Sequence, residues 1–231
     1  MKLARHEYNG TVIYNAVAPP RNVVPHPAIP QDRRLKVASL SNYAHMRGVD
    51  RLVDVAEHLA RRGRRDILFL IAGKVNLPKG LPGDLAEVSN SGGSLADYAH
   101  IRGVADMFIF FGHVAEPETV LAASDVLVKP TRFNNPWGRD ILEAMACATP
   151  VIAIGTYDRF VRNRETGYLL SDYSADEIAD ILLALDADRE RCRQLGKNGA
   201  RWVADLCDGR TQASKLLSVW QEAVTRRARN A

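Results

Sequence analysis

Between residues 129 and 146 the stretch KPTRFNNPWGRDILEAMA places one carboxylate, Glu143, among residues otherwise suited to burial: Ile141, Leu142, Ala144, Met145 and Ala146. A carboxylate in such company costs free energy unless a partner takes it up. Two kinds of partner fit. Arg139 lies four residues earlier, one helical turn away, and a surface ion pair at that spacing is worth about 0.2–0.5 kcal/mol. A ribose would instead donate two hydroxyl hydrogen bonds, satisfying both carboxylate oxygens. Upstream, Pro136 and Gly138 open the helix and leave its first N–H groups accessible, which favours a negatively charged oxygen at that end. Asn134 or Asn135 is placed to cap the start.

Three further loops carry polar groups just after apolar runs. In SLSNYAHMRGVD (39–50), Ser39, Ser41 and Asn42 suit a turn and Arg47-Gly48 begins a helix, an arrangement able to hold a phosphate or simply an ordinary helix start with a solvated arginine. In IAGKV (71–75), Gly73 allows close approach by a ligand or a loop; Lys74 is a phosphate candidate or a solvent-exposed lysine. In FFGHVAEPET (110–119), Gly112 ends a run, and His113 and Val114 either line a flat pocket for a base or form a plain loop. His113 lacks the companions a metal or nucleophilic site needs.

These groups require a frame that presents loops side by side. Apolar runs alternate with helical segments: LKVASL (35–40), a helix near 48–63, DILFLIAG (66–73), an irregular excursion over 74–94, a helix over 95–104, MFIFFG (107–112), a short helix over 117–123, DVLVKP (125–130), a helix over 138–148, PVIAI (150–154) and GYLL (167–170). Helices over 174–187, 189–207 and 211–228 follow. Short apolar strands separated by helices, with a continuous apolar run in DILFLIAG, predict an α/β fold with a doubly wound parallel sheet covered on both faces. Such sheets bind ligands beyond the carboxyl ends of their strands, where strand order reverses. Residues 1–34, with Pro19, Pro20, Pro25, Pro27 and Pro30, read as an extended irregular segment that joins the domain to something else or wraps its edge.

Bulk composition narrows the classes. The chain has 231 residues, 46% apolar and 25% charged, with a net charge of +4 that suits anionic small molecules or a membrane-adjacent acceptor and equally suits arginine-rich solvated helices. No apolar run is long enough to cross a bilayer. The opening MKLARHEYNG lacks the apolar core of a secretory leader, so a cytoplasmic location is expected. Cys147, Cys192 and Cys207 have no ligand-like spacing and read as buried or half-buried thiols. No GxGxxG supports a dinucleotide site, and no aromatic-basic interleaving supports nucleic-acid binding.

From about Ser39 to Cys207 the chain resembles the C-terminal, nucleotide-sugar-binding domain of the retaining glycosyltransferases with the GT-B fold. RGVDRLVDVAEHL, LFLIAG, FFGHV, ASDVLVKPT, PWGRDILEAMACATPVIA and ETGYLL are similar to that family's successive motifs in the same order, and TVIYNAVAPP resembles the crossing from its first domain to its second. The resemblance implies residues 1–34 as an interdomain-type connection, 35–207 as a Rossmann-like domain, and 208–231 as a C-terminal helix packing back on the domain or a partner. It implies a UDP-, GDP- or ADP-linked sugar as donor, with no cofactor and no metal.

Family members carry two glutamates eight positions apart around an aromatic-glycine pair. The second falls on Glu143, implying contact with the donor ribose. The first falls on Asn135, a departure at the position that meets the sugar ring near the developing positive charge of the anomeric carbon. Two cations usually face the diphosphate; here Ser39 occupies one position and Arg47 the other, leaving Lys74, Tyr43, His45 or the 138–140 amides to compensate. Gly112, His113 and Val114 match the loop bordering the nucleobase, Thr131 matches a small hydroxyl residue after the fourth strand, and GTYDRF (155–160) replaces a glycine pair.

The acceptor domain of such enzymes has no room ahead of Leu35. A fragment, a truncated product and a subunit needing a separate N-terminal domain are all compatible readings, and the chain alone is expected to bind donor weakly and transfer little. The saccharide or lipid-linked acceptor, a role in polysaccharide or lipopolysaccharide synthesis, a position at the inner face of the membrane, and self-association through Leu216, Leu217, Val219, Trp220 and Val224 follow only from the resemblance. A non-catalytic nucleotide-sugar-binding module and a GT-B-type epimerase are the competing classes.

Overall fold

LKVASL and DILFLIAG become adjacent parallel strands, β1 (Leu35–Leu40) and β2 (Ile67–Ala72), in the computed structural model of the protein, which describes residues 10–229. Residues 1–9, on which the reading of the leader rests, lie outside the described residues. Between these strands runs α1 (Arg51–Arg61). After them come α2 (Ala86–Asn90), α3 (Leu95–Ile101), β3 (Phe108–Gly112), α4 (Glu118–Leu121), β4 (Val126–Lys129), α5 (Arg139–Ala146), β5 (Val151–Ile154) and β6 (Gly167–Leu170). The chain continues through α6 (Ala175–Ala187), α7 (Arg189–Leu206) and α8 (Gly209–Arg229).

All six strands are parallel, in the order β3-β2-β1-β4-β5-β6. The protein is a single α/β Rossmann-like domain. Side chains alternate across the sheet because successive strand residues face opposite sides. Ile67, Phe69 and Ile71 join Val126, Val128, Ile152 and Ile154 under α1, α3 and α6. Leu68, Leu70, Leu127, Val151 and Ala153 join Ile141, Met145 and Val203 under α5 and α7. By the same alternation Lys129, which ends β4, stands on the α5 side.

Strand order reverses between β1 and β4, so the chain leaves these neighbours in opposite directions and their following loops diverge. A crevice opens there.

Two expected boundaries shift. The helix placed at 48–63 starts only at Arg51, because His45–Arg47 forms a separate turn closed by the Gly48 N–H on the His45 carbonyl. The excursion over 74–94 is partly helical: α2 covers Ala86–Asn90 and buries Val88, with Leu77, Leu81 and Leu85 buried ahead of it at a spacing of four. Pro78, Gly80, Pro82 and Gly83 mask that periodicity in the sequence.

The proline-rich segment wraps the domain. Tyr14 N–H donates to Gln212 Oε1 (3.0 Å), His26 N–H to the Thr119 carbonyl (3.0 Å), and Ile29 is buried. Among the described residues no helix is long and apolar enough to cross a membrane. Cys192 and Cys207 are buried and Cys147 half-buried, each a free thiol.

Candidate functional site

The crevice at the carboxyl ends of β1 and β4 has a volume of about 670 Å³. One wall comes from the loops after β1, β2 and β3; the other is the continuous stretch from Lys129 through the first turns of α5.

The α5 wall is built around Gly138. Its φ of 152° belongs to glycine, and a side chain there would meet Asp140 Oδ1 at 2.5 Å and Lys129 Nζ at 2.7 Å. The first helical bond runs from Leu142 N–H to the Gly138 carbonyl (3.2 Å), so the N–H groups of Gly138, Arg139 and Asp140 have no acceptor among the described residues. Those donors and the helix dipole make this end attractive to an anion. Neither asparagine caps the helix. Asn134 is drawn away to Thr156, accepting its backbone N–H (2.8 Å) and donating to its Oγ1 (2.9 Å), which ties the 155–160 loop to the rim. Asn135 is exposed in the crevice with its side-chain amide unpaired.

Glu143 stands one turn into the helix, its side chain 24% exposed, and lines the crevice. The pair with Arg139 forms as the spacing allows. Both contacts, 3.2 Å from Nε and 2.8 Å from Nη2, fall on Oε1. Oε2 therefore accepts no hydrogen bond from the described residues. The ion pair and the open carboxylate edge coexist because Arg139, at 79% exposure, approaches from the solvent side.

The facing wall is held to the first by buried polar bonds. Asp50, whose side chain is 5% exposed, receives both Nη atoms of Arg132, and Arg132 Nη1 also donates to the His45 carbonyl (2.6 Å). Hydrogen bonding to Asp50 holds the guanidinium pKa above its ordinary value. Thr131 is buried in the crevice floor with its hydroxyl spent on the Met46 carbonyl (3.1 Å). Arg47 hangs over the crevice, Nη1 on Ser41 Oγ at 3.0 Å, at the end of a tight turn and not at a helix start.

Ser39, Gly73, His113 and Val114 also line the space. Gly73 has the role of close approach, and it is a loop that approaches: a Cβ there would sit 2.3 Å from the Ser41 carbonyl oxygen. Two candidates are displaced. Lys74 is exposed outside the crevice, because its backbone is pinned to the 42–43 loop through Asn42 Oδ1 (2.8 Å) and the Tyr43 N–H (2.6 Å). Gly112 lies behind the lining, its carbonyl accepting the Gly73 N–H (2.6 Å). Tyr43 and His45 are not at the surface of the crevice either; Tyr43 Oη and His45 Nδ1 are buried without a partner. Of the groups named to compensate for the missing cation, only the amides at 138–140 are in place.

Sequence reasoning passed over Lys129, Asp140 and Arg132. Lys129 Nζ donates to Asp140 Oδ1 (2.8 Å), Asp140 Oδ2 (2.9 Å) and the Trp137 carbonyl (2.9 Å) inside the crevice. The signal was a cation closing the apolar run VLV, where strand alternation aims it at the α5 start. Among the described residues no group of His, Cys, Asp and Glu converges as a metal site would require.

Comparison with known proteins gives a family. Residues 26–202 match the glycosyl transferases of group 1. The GDP-mannose-dependent alpha-(1-6)-phosphatidylinositol monomannoside mannosyltransferase of Mycobacterium tuberculosis is 31% identical over 194 residues, covering 79% of this chain and 46% of that protein. The chain thus spans about half the length of the curated relatives it matches. Among solved structures, Anabaena Alr3699/HepE in complex with UDP superposes with a TM-score of 0.69 at 20% identity, over 82% of this chain and 49% of that one. The C-terminal domain of a group 1 family protein, LpcC, from Francisella tularensis superposes with a TM-score of 0.59 at 22% identity, over 79% of this chain and 94% of that one.

Proposed function

This chain belongs to the group 1 glycosyl transferases, and we propose that it is the C-terminal, donor-binding half of a retaining enzyme of GT-B architecture. The observation that carries this reading is the start of α5, where free backbone amides and a carboxylate with an open oxygen face one crevice. A nucleoside diphosphate fits that pattern: phosphate oxygens against the Gly138, Arg139 and Asp140 amides, ribose hydroxyls on Glu143, and the base along Gly73, His113 and Val114. Arg47 reaches the phosphates from the opposite wall. Donors preorganised at a phosphate also stabilise the charge that grows on it as the glycosyl bond breaks. Asn135 then hydrogen-bonds the sugar ring.

A GDP-linked sugar is the first donor to test, given the name of the mycobacterial relative; UDP- and ADP-linked sugars follow. That name also makes a lipid-linked acceptor the first acceptor to test, with a site at the inner face of a membrane. In this reading the acceptor is held by an N-terminal domain facing the crevice, residues 10–34 are the connection to it, and α8, with Leu217, Trp220 and Val224 exposed, supplies the surface that domain or a second copy covers.

Calorimetric titration with UDP, GDP and ADP tests donor binding, and saturation by one of them is expected. Flat titrations with all three would overturn the reading. Glu143→Ala should weaken that binding tenfold or more, about 1.4 kcal/mol or above, as expected when hydrogen bonds to a charged group are lost. Asn135 favours a second reading, a binding module without turnover, since its amide supplies no negative charge at the anomeric centre. Transfer measured after mixing with a matching acceptor domain separates the two.

A further inference from the structure

Resting on that reading of the crevice, we infer that Lys129 and Asp140 form the floor beneath the donor's phosphates, Lys129 as the second cation facing the diphosphate and Asp140 as the carboxylate that holds it in position. Three Lys or Arg side chains line the crevice: Arg47, Lys129 and Arg139. Arg139 is turned to solvent and engaged with Glu143, and Arg47 sits on the opposite wall. Lys129 alone lies beside the free amides: the point a Gly138 side chain would occupy is 2.7 Å from its Nζ. Its side chain is 18% exposed and Asp140's 19%, so the pair is enclosed yet open to the crevice.

The two charges have opposed effects on an anion. Asp140 lies in the first turn of α5, where a carboxylate stabilises the helix by opposing its dipole. The same charge would repel a diphosphate arriving at that turn. Lys129 cancels it at 2.8 Å and keeps the seat from being acidic. Its bond to the Trp137 carbonyl (2.9 Å) also occupies that acceptor beside the free N–H groups. The pair is therefore an electrostatic part of the seat as well as a staple for the turn.

The test compares ligands that differ in phosphate charge. With the 231-residue chain, binding of the preferred nucleoside diphosphate and of its monophosphate is measured by titration, monitored by calorimetry and NMR. Lys129→Met, which keeps the aliphatic stem, should weaken the diphosphate tenfold or more and the monophosphate by a smaller factor. Asp140→Asn, which frees the lysine's charge, should tighten the diphosphate severalfold. Lys129→Met combined with Asp140→Asn should return the diphosphate to within a few-fold of the parent. Lys129→Arg keeps the charge and serves if Lys129→Met does not fold; its diphosphate affinity should stay within a few-fold.

Equal losses for both ligands in Lys129→Met, or in Lys129→Arg where it must stand in, would reduce the pair to a staple and overturn the inference. Unchanged diphosphate affinity in Lys129→Met would do the same, as would weaker binding in Asp140→Asn. A parent chain that binds no nucleoside diphosphate would instead sink the donor-site reading itself, so the two failures are told apart.

Discussion

The two walls of the crevice are made in different ways. The α5 wall is one run of chain, from Lys129 to Glu143, whose geometry is set by a strand end, a glycine turn and a helix. The facing wall is assembled from residues as far apart in sequence as Ser39, Gly73 and Val114, and its shape depends on bonds between loops. Local spacing is enough to organise the first. The second exists only once the sheet has formed and Asp50, Arg132, Thr131 and Met46 have joined it to its opposite. Damage to the first should therefore appear in ligand affinity, and damage to the second in stability.

Breaking the Asp50–Arg132 pair tests this most severely. Arg132→Met removes the partner of a carboxylate whose side chain is 5% exposed, and leaving such a charge unpaired costs about 3–5 kcal/mol. Chemical denaturation should show a loss of that size. Asp50→Asn in the same chain should recover part of it, because no buried charge then remains. Recovery is the decisive result: an arginine acting only through its bond to the His45 carbonyl would give none.

Next in size is a pair of glycine substitutions, one on each wall. At Gly73 an added Cβ meets backbone, the Ser41 carbonyl oxygen at 2.3 Å, so Ala there must push two loops apart. At Gly138 it meets the ends of two side chains, although φ of 152° strains any residue with a Cβ. Gly73→Ala is expected to cost the more stability, about 2–3 kcal/mol against about 1 kcal/mol for Gly138→Ala. Nucleotide affinity should fall more in Gly138→Ala, whose amides form the seat. Thermal melts alongside titrations check both halves, and the reverse order would break the contrast between the walls.

The difference between the walls also explains what was legible in the sequence. Strands β1 and β6 begin and end where LKVASL and GYLL place them, since each is a short, mostly apolar run followed at once by polar residues. Glu143 stood out as a lone carboxylate on an apolar helix, and the four-residue spacing allowed for the pair with Arg139 that forms. Lys74 takes the solvent-exposed one of its two readings, because charge and a post-strand position say nothing of where a loop turns; the pull of Asn42 and Tyr43 on its backbone is a tertiary fact. Asn134 was misplaced as a cap for the same reason, its partner Thr156 being 22 residues away. Helix α2 was hidden by the prolines and glycines around it. Lys129 carried a local signal that was overlooked: it ends a strand like many solvated lysines, but strand alternation aims it at the α5 start, where it meets Asp140.

Asn134→Ala should cost about 1 kcal/mol, the usual price of one or two neutral hydrogen bonds at a partly exposed site, and should loosen the 155–160 loop. Faster amide exchange at Thr156 is its signature, because that N–H loses its acceptor.

The smallest expected effect belongs to Arg139→Ala, and it bears most directly on Glu143. The guanidinium is 79% exposed and contacts a single carboxylate oxygen, so its loss should change stability by no more than about 0.5 kcal/mol. Ligand affinity is the informative quantity. If Glu143 serves a ribose through Oε2 while Arg139 occupies Oε1, removing the arginine leaves the ribose contact intact and the affinity for nucleoside diphosphate within about threefold. If the carboxylate instead serves only its ion pair, Arg139→Ala and Glu143→Ala should have equally small effects. A large loss in Glu143→Ala beside a small one in Arg139→Ala therefore separates a ligand-facing carboxylate from a surface pair.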